Sequence, residues 1–471
     1  MRVTYYSHAS FRLVTDQGVR LLCDPWTYNP IHNLMWQFPE CPIGPADYVD
    51  QDYIYISHSH VDHFCPLTLG HIPRHIPIII RAYGDLDNPI RPTLVEMGFE
   101  TIIELQHGET RRIERDLTVT LYADLGTVDS AIVASDGRHS VFHQNDCMMP
   151  IEEARKIGAA HKVDLALLGV INSSIYPTFF VMDETRKKAE TEARKQRVLD
   201  RSSAYGEAVG ARFVVPCACD MIYIRVPDSD AYLGPHTFDF RRDAAAKSRP
   251  FTVLTMAPGD ELDLAEPRLD FTPAYSSQEE LMTVLAAMRR RPDVQAAIAA
   301  QSLWEDGFVH DPAVYEAAMI GYAAHVTANF ADMFKHNLDK VQPRTWRTLF
   351  AVTDGEASVG YEIALDFAAG TMRFTRAPHT LDPAGRDMVM AFDAKCLAMQ
   401  MAGVMDISDI RSGWALIYRP GAFTPEEVAF WHVMTLFNAY LKTRGAFSRE
   451  HAFPGRVSTV FKPDAALVNA A

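Results

Sequence analysis

The chain has 471 residues, 48% of them hydrophobic and 22% charged, a composition typical of a globular protein rather than a disordered one. Its 45 Lys and Arg residues against 60 Asp and Glu residues give a net charge of −15, which disfavours nucleic acid as a partner because phosphate backbones repel such a surface. Seven Cys residues, an odd number spread thinly along the chain, predict no disulfide framework.

The first 250 residues alternate between strand-like and helix-like patterns. Strands are predicted over residues 5–14, 19–22, 53–56, 117–122, 131–134, 140–142 and 213–215, with hairpin turns at 16–18 and 136–137. Helical periodicity covers 151–160 and 183–210. This alternation predicts a layered α/β domain over residues 1–256.

The second half of the chain begins after residues 257–277, a stretch rich in Pro, Asp and Glu without periodicity, which predicts a linker. Ser277 and Glu280 have capping-box spacing, and this predicts a helix that ends near residue 290. Further on we expect an α+β region over 266–471, with a helix over 311–337, strands over 349–353 and 358–365, and a helix-rich tail to about 444.

The strongest chemical signal is the string His58-Ser59-His60-Val61-Asp62-His63, directly after the predicted strand 53–56. In extended backbone His58 and His60 lie on the same side, so both can bind one metal ion. Asp62 and His63 follow where the chain turns and can bind a second ion. Neutral imidazole and carboxylate suit zinc, iron or manganese, and such a group of side chains without a cation would stay repelled or unsatisfied.

This string resembles the metallo-β-lactamase fold superfamily, together with His8-Ala9-Ser10-Phe11 and Leu21-Leu22-Cys23-Asp24-Pro25. The resemblance covers roughly residues 1–250 and implies an αββα sandwich with a dinuclear metal site at one edge of the sheets. It implies that Asp24 orients a ligand imidazole, whereas an exposed turn is the alternative interpretation of Asp24-Pro25. His8 is expected near the pocket but not as a ligand.

The superfamily usually supplies three further ligands, a His, a bridging Asp and a last His, and this sequence departs from that pattern. The resemblance implies that Asp146, after Val141-Phe142, bridges the two metal ions. In place of the first His the best candidate is Asp124, with Asp129 as the runner-up. For the last ligand the sequence offers Asp220, Cys217 or Cys219, with His236 as a distant alternative.

Carboxylates in place of imidazoles favour iron or manganese over zinc. The block 128–133, continued by Asn145-Asp146-Cys147, resembles the CMP-sialic acid hydroxylase group, and a carboxylate third ligand is similar to that of diiron β-hydroxylases. These resemblances imply a non-haem diiron monooxygenase that hydroxylates a small hydrophobic or carrier-linked metabolite with dioxygen. Because no Rieske Cys-His pairs occur here, we expect an external reductase. The alternative is a dinuclear hydrolase of an ester, lactone or phosphodiester.

The C-terminal half carries no chemical motif. Residues 386–418 loosely resemble a sterol-carrier-like domain, and the apolar stripe from Met388 to Met405 predicts either a substrate cavity or ordinary core packing. We expect this region to wall the metal pocket. No signal-peptide pattern opens the chain and its apolar runs fall far short of the ~20 residues that span a bilayer, which predicts a cytoplasmic protein without a membrane partner.

Overall fold

The structure is a computed structural model that describes residues 1–443 except 31–34, 42, 84–89, 172–174, 220, 225, 268–275, 306–307, 356, 404 and 420–423. Among these described residues, no helix combines the length and the apolar character that crossing a membrane requires.

The described strands, in chain order, are β1 Arg2–Ser7, β2 Ser10–Val14, β3 Arg20–Cys23, β4 Met35–Gln37, β5 Tyr53–Ile56, β6 Ile78–Arg81, β7 Ile102–Leu105, β8 Thr110–Glu114, β9 Leu117–Ala123, β10 Ser130–Ser135, β11 Ser140–Asn145, β12 Leu165–Gly169, β13 Phe213–Cys217, β14 Met221–Tyr223, β15 Thr252–Val253, β16 Glu261–Asp263, β17 Thr345–Asp354, β18 Ala357–Asp366, β19 Thr371–Ala377, β20 Met388–Asp393 and β21 Leu416–Tyr418.

The described helices are α1 Pro66–Leu69, α2 Ile90–Glu96, α3 Ile151–Ala160, α4 Ile175–Thr178, α5 Glu184–Ala208, α6 Thr237–Ala246, α7 Gln278–Arg289, α8 Pro292–Glu305, α9 Pro312–Ala328, α10 Phe330–Phe334, α11 Ala394–Met401, α12 Ile407–Asp409 and α13 Pro425–Thr443. Short 3₁₀ segments cover Pro45–Tyr48 and Pro227–Tyr232, and a π turn covers Ile410–Trp414.

Two seven-stranded sheets form the N-terminal half, in the orders β16-β1-β2-β3-β5-β6-β7 and β15-β13-β12-β11-β10-β9-β8. Side chains such as Val3, Phe11, Leu121 and Val215 fill the space between the sheets. The outer face of the first sheet packs on α1 and α2, and that of the second on α3, α5 and α6. These four layers confirm the predicted αββα sandwich.

The local predictions for this half agree with the structure except at one tight turn. Strand β5 and helix α3 have the predicted bounds, and Asp183 caps α5 by accepting the backbone N–H of Arg186. The strand predicted over 5–14 is instead two strands, because the chain reverses at His8, whose φ is 55°.

The segment predicted as a linker contains a strand. β16 pairs antiparallel with β1, where Val3 lies opposite Leu262, and the fully buried Leu262 side chain belongs to the core between the sheets. The first sheet therefore extends past residue 256, the boundary predicted for the N-terminal domain. One apolar residue among acidic neighbours carries too weak a periodicity for sequence analysis to find such an edge strand.

The predicted helix-rich tail is wrong in its first part. A five-stranded sheet in the order β19-β18-β17-β20-β21 packs on α9, α11 and α13. The Met-rich stripe divides between β20 and α11, and the buried side chains of Met388, Met390 and Met399 fill the core below this sheet. The helix predicted over 311–337 breaks at Asn329 into α9 and α10.

The two halves of the chain share apolar contacts. Phe180, which follows α4, forms a parallel bridge with Ile417 of β21, and its buried side chain belongs to the core of the C-terminal half. In the opposite direction, Leu436 of α13 packs into the cluster on the outer face of the first sheet. The C-terminal half therefore covers the N-terminal sandwich through interlocked cores.

Truncation of Phe180 tests this interlocking. We expect Phe180→Ala to lower the free energy of unfolding by about 3–5 kcal/mol, because it leaves a cavity in a core shared by both halves. The matched control is Val181→Ala, which removes a side chain that is 44% exposed and should change stability by no more than about 0.5 kcal/mol. Urea unfolding of the full chain measures both, and equal losses would contradict the assignment.

Candidate metal centre

One edge of the sandwich gathers the side chains that could bind metal. In the first sheet, Asp24 follows β3 and the His58–His63 string follows β5, and these two strands are parallel neighbours. In the second sheet, Asp129 precedes β10 and Asp146 follows β11, and these two strands are antiparallel neighbours. The strand ends therefore deliver all of these groups to the same edge.

Three overlapping groups of donor atoms form at this edge, and within each group the atoms lie within 4.8 Å of one another. The groups are His58–His60–Asp129, His58–His63–Asp146 and His8–Asp62–His63. His58 and His63 each belong to two groups, so the three form one continuous constellation. The structure thus brings together five of the six predicted ligands, namely His58, His60, Asp62, His63 and Asp146.

Asp24 orients the imidazoles from behind. Its fully buried carboxylate accepts the backbone N–H of Ser57 at 2.8 Å, the Ser57 hydroxyl at 2.7 Å and Nδ1–H of His63 at 2.9 Å. Because the Ser57 hydroxyl donates to Asp24, its oxygen is left to accept Nδ1–H of His58 at 2.9 Å. Both histidines are therefore held with Nε2 towards the site.

The loop between β9 and β10, the third loop, brings Asp129 next to the histidines. Asp129 was the runner-up of the sequence analysis. Asp129 Oδ1 lies 3.9 Å from Nε2 of His58. Asp124 Oδ1 instead accepts the backbone N–H of Gly126 at 3.0 Å, and Asp124 belongs to none of the three donor groups. The two residues lie at the base of one turn, since the Asp124 N–H donates to the Asp129 carbonyl at 3.1 Å. The geometry therefore favours Asp129 as the third-loop ligand.

Burial and charge set the protonation of these groups in opposite directions. Burial lowers the pKa of His58 and of His60 to about 4, so both imidazoles are neutral near pH 7. Burial would also lower the pKa of His63, but Asp62 and Asp146 outweigh it and raise that pKa well above its usual value. Burial, with Asp146 and Asp124 nearby, raises the pKa of Asp129 to about 6.

Unsatisfied buried atoms show that the donor set fits a cation. Nε2 of His63, Oδ1 of Asp129 and Oδ1 of Asp146 are buried and make no hydrogen bond to any described residue. Buried polar atoms of this kind normally have partners, and metal ions bound in the groups His58–His60–Asp129 and His58–His63–Asp146 would satisfy them. Imidazole nitrogen with carboxylate oxygen is a donor set for zinc, iron or manganese.

The remaining predicted positions lie elsewhere or cannot be described. Asp220 lies outside the described residues. Cys217 ends β13 with its side chain in the core between the sheets, and burial raises the pKa of its thiol well above the usual value. Cys219 is buried as well, while His236 precedes α6 and stacks on Phe238. Of these three residues none belongs to the donor groups found among the described residues.

His8 is the participant that sequence analysis did not expect as a donor. Its Nε2 lies 3.1 Å from Oδ2 of Asp62, and its ring is 5.4 Å from that of His63. The positive φ of His8 in the β1–β2 turn carries the side chain to the site edge. The sequence signal that could have indicated this role was a His in a two-residue turn between two apolar strands.

The turn that carries Asp129 is held from both halves of the chain. Nη1 of Arg81 donates to the carbonyls of Asp124, Thr127 and Asp129 at 2.9, 2.8 and 3.0 Å. From the C-terminal half, the buried amide of Asn337 donates to the Gly126 carbonyl at 2.9 Å. A Cβ at Gly126 would lie 2.6 Å from Oδ1 of Asn337, so a side chain there would displace the Asn337 amide.

An apolar cluster adjoins the His-rich string. It contains the buried side chains of Trp26, Met35, Cys65, Phe179, Met221 and Tyr223. Val61 of the string and Trp414 of the C-terminal half pack against it. Trp414 thus brings the C-terminal half into contact with the apolar cluster beside this string.

Comparison with known proteins identifies this N-terminal architecture. Residues 2–191 match the family described as the beta-lactamase superfamily domain. The N-terminal half is a metallo-β-lactamase fold domain, as the sequence resemblance implied. A metallo hydrolase of Ignicoccus hospitalis aligns over 55% of this chain and 97% of its own, with 20% identity and a TM-score of 0.40.

Two curated relatives match part of the N-terminal half of the fold in sequence. A Mycobacterium tuberculosis protein with the provisional name Rieske 2Fe-2S iron-sulfur protein is 31% identical over 229 residues, 46% of this chain and 43% of that protein. The cytidine monophosphate-N-acetylneuraminic acid hydroxylase of Cricetulus griseus is 27% identical over 158 residues, 32% of this chain and 28% of that enzyme. The matches therefore span less than half the length of these relatives.

Replacing Asp24 tests the orientation of the imidazoles. In Asp24→Asn the amide nitrogen competes with the Ser57 and His63 donors, so we expect metal affinity to fall about 10–100-fold. The control is Asp52→Asn, which removes a carboxylate that binds Arg20 at the far end of β5 and should leave metal affinity unchanged. Competition with a chromophoric chelator measures both variants, and unchanged affinity in Asp24→Asn would refute this role.

Proton release on metal binding tests the electrostatics. At pH 7 the raised pKa keeps His63 protonated in the metal-free protein, and its ligand nitrogen must lose that proton, so binding should release about one proton. At pH 5.5 the carboxyl of Asp129, with a pKa of about 6, is also largely protonated, so release should approach about two protons.

Calorimetry in buffers of different ionisation enthalpy counts these protons. The Asp129→Asn variant serves as the control, because without that carboxyl the release should no longer rise between pH 7 and pH 5.5. A wild-type protein that releases the same number of protons at both values would show that Asp129 is not a ligand.

Proposed function

We propose that this chain is an oxygen-dependent monooxygenase with a dinuclear metal site, iron favoured over zinc or manganese. It hydroxylates a small hydrophobic or carrier-linked metabolite and receives electrons from an external reductase. The proposed ligands are His58, His60, Asp62, His63, Asp129 and Asp146, with His8 beside Asp62.

The observation that carries this proposal is the group His58–His60–Asp129. Two imidazoles and one carboxylate within 4.8 Å form the donor set typical of non-haem iron(II) oxygenases. A third imidazole at the position of Asp129 would make a softer, less anionic site of the kind that suits zinc. The hydroxylase name of one relative supports the same chemistry.

The chain's own residues prepare this site for the metal ions. Asp24 and Ser57 fix two imidazoles with their Nε2 atoms towards the site, and Asp146 lies beside His63, 3.6 Å from its Nε2. Its second carboxylate oxygen has no described partner, so it is available to a further cation. When bound, the two metal ions would supply the site at which dioxygen is activated.

Exclusion of water is the second contribution of the protein. Oxygen activation requires a site from which water is excluded, because water intercepts the reactive intermediates of the reaction. His58 and His63 are fully buried, and the apolar cluster around Trp26 and Phe179 adjoins them. Trp414 of the C-terminal half packs against the same cluster, which supports a role for that half in keeping water from the site.

Substitution of the third-loop carboxylate tests the proposal. In Asp129→His the site loses an anionic oxygen, so after reconstitution with iron and zinc together the ratio of bound iron to bound zinc should fall below that of wild type. Asp124→His is the matched control, because the Asp124 carboxylate binds the Gly126 N–H of its own turn. Elemental analysis of both variants and of wild type gives the ratio.

Labelled dioxygen then separates oxygenation from hydrolysis. Iron-loaded wild type with a chemical reductant and bulky hydrophobic carboxylates or thioesters should incorporate the label, and Asp129→His should not. Wild-type protein that retains two zinc ions, cleaves esters and incorporates no label would establish the hydrolase instead. An equal metal ratio in all three proteins would refute Asp129 as a ligand.

A further inference from the structure

A polar cavity, distinct from the metal edge, lies behind the turn that carries Asp129, between the first sheet and the C-terminal helices. Its volume is about 260 Å³. Its walls come from the ends of β6, β7 and β9, from α9 and α13, and from α10 with the residues that follow it. The residues on which the argument rests are Arg81, Tyr83, Asp332, Lys335, His336 and His432.

Arg81 is the central cation of this cavity. The residue is only 4% exposed, and its guanidinium lies over the ring of Tyr83 at 5.1 Å. All of its hydrogen bonds to described residues come from Nη1, which donates to three carbonyls of the Asp129 turn. Nε and Nη2, the other two donor atoms, have no described hydrogen-bond partner although the residue lines the cavity.

Further donors surround the guanidinium. Lys335 lines the cavity and is exposed, whereas His432, from α13, is only 9% exposed and makes no hydrogen bond to a described residue. Burial, and then the charges of Lys335, Arg81 and Lys340, lower the pKa of His336, and of these three cations Lys335 and Arg81 line the cavity. Asp332 is the one carboxylate among the described lining residues.

The balance of charge in this cavity is opposite to that of the whole protein. The chain carries a net charge of −15, yet two cations and four imidazoles line this small volume, with a single carboxylate among the described lining residues. A planar guanidinium with two unused donor atoms matches the geometry of a carboxylate or phosphate. A volume below the ~300–1,000 Å³ of drug-sized sites suits a compact group.

We propose that this cavity binds phosphate, either free or as the terminal group of a small metabolite, between Arg81 and Lys335. The phosphate oxygens accept from Nε and Nη2 of Arg81 and from the Lys335 ammonium at the rim. This site is separate from the metal edge, because none of its lining residues belongs to the three donor groups.

Calorimetric titration of the metal-free full chain with inorganic phosphate tests the proposal. We expect saturable binding that weakens about tenfold in Lys335→Ala, the loss that one charge-assisted hydrogen bond predicts. The matched control is Lys340→Ala, which removes an exposed lysine of the same segment that does not line the cavity and should weaken binding far less than Lys335→Ala. Arg81→Gln should abolish binding, but it also releases the Asp129 turn, so Lys335→Ala decides.

Parallel titrations distinguish the two sources of phosphate. A phosphate monoester such as glycerol 3-phosphate that binds more tightly than inorganic phosphate identifies a metabolite, and equal or weaker binding identifies the free ion. Absence of saturable binding to wild type, or equal weakening in Lys335→Ala and Lys340→Ala, would overturn the proposal. Because no metal is present, the outcome is independent of the proposed monooxygenase.

Discussion

The carboxylate of Asp24 is the interaction on which the metal edge depends. Asp24 directly follows β3, and its backbone N–H donates to the Tyr55 carbonyl of β5 at 2.9 Å. Its carboxylate oxygens accept hydrogen bonds from Ser57 and His63. One buried anion thereby joins two parallel strands, starts the His-rich string at a fixed point and selects the ring nitrogen that faces the site. Desolvating a carboxylate is costly, and here three donated hydrogen bonds offset that cost. The positions of Ser57, His58 and His63 at the metal edge therefore depend on the hydrogen bonds that the Asp24 carboxylate accepts.

The opposite side of the site is built differently, since Asp129 lies in the turn between β9 and β10. Such a turn has few backbone partners of its own, and Arg81 supplies three hydrogen bonds to its carbonyls. Asn337 adds a fourth from the C-terminal half. The first sheet therefore provides a rigid wall of histidines, while the third-loop carboxylate depends on contacts that span the chain. The two halves act as one unit in forming the proposed centre.

Sequence analysis predicted what local patterns determine and missed what tertiary contacts determine. The string His58–His63, its preceding strand and the capped helices are local, and the structure has them at the predicted positions. The sequence analysis preferred Asp124, whereas Asp129 of the same turn lies beside the histidines. Arg81 and Asn337, which hold this turn, are distant in sequence, so no local pattern could predict its shape. The β19 and β20 strands were missed because buried Met residues suit strand and helix equally.

The contact between Gly126 and Asn337 joins residues 211 positions apart at a separation that leaves no room for a side chain on the glycine. The two residues are energetically coupled, because a change on either side removes the fit of the other. A chimaera could take its N-terminal sandwich from one relative and its C-terminal region from another. Its two surfaces would then not be matched to each other at the turn that presents Asp129. The metal edge therefore limits which C-terminal regions can be joined to this sandwich, in addition to the limits that the hydrophobic cores set.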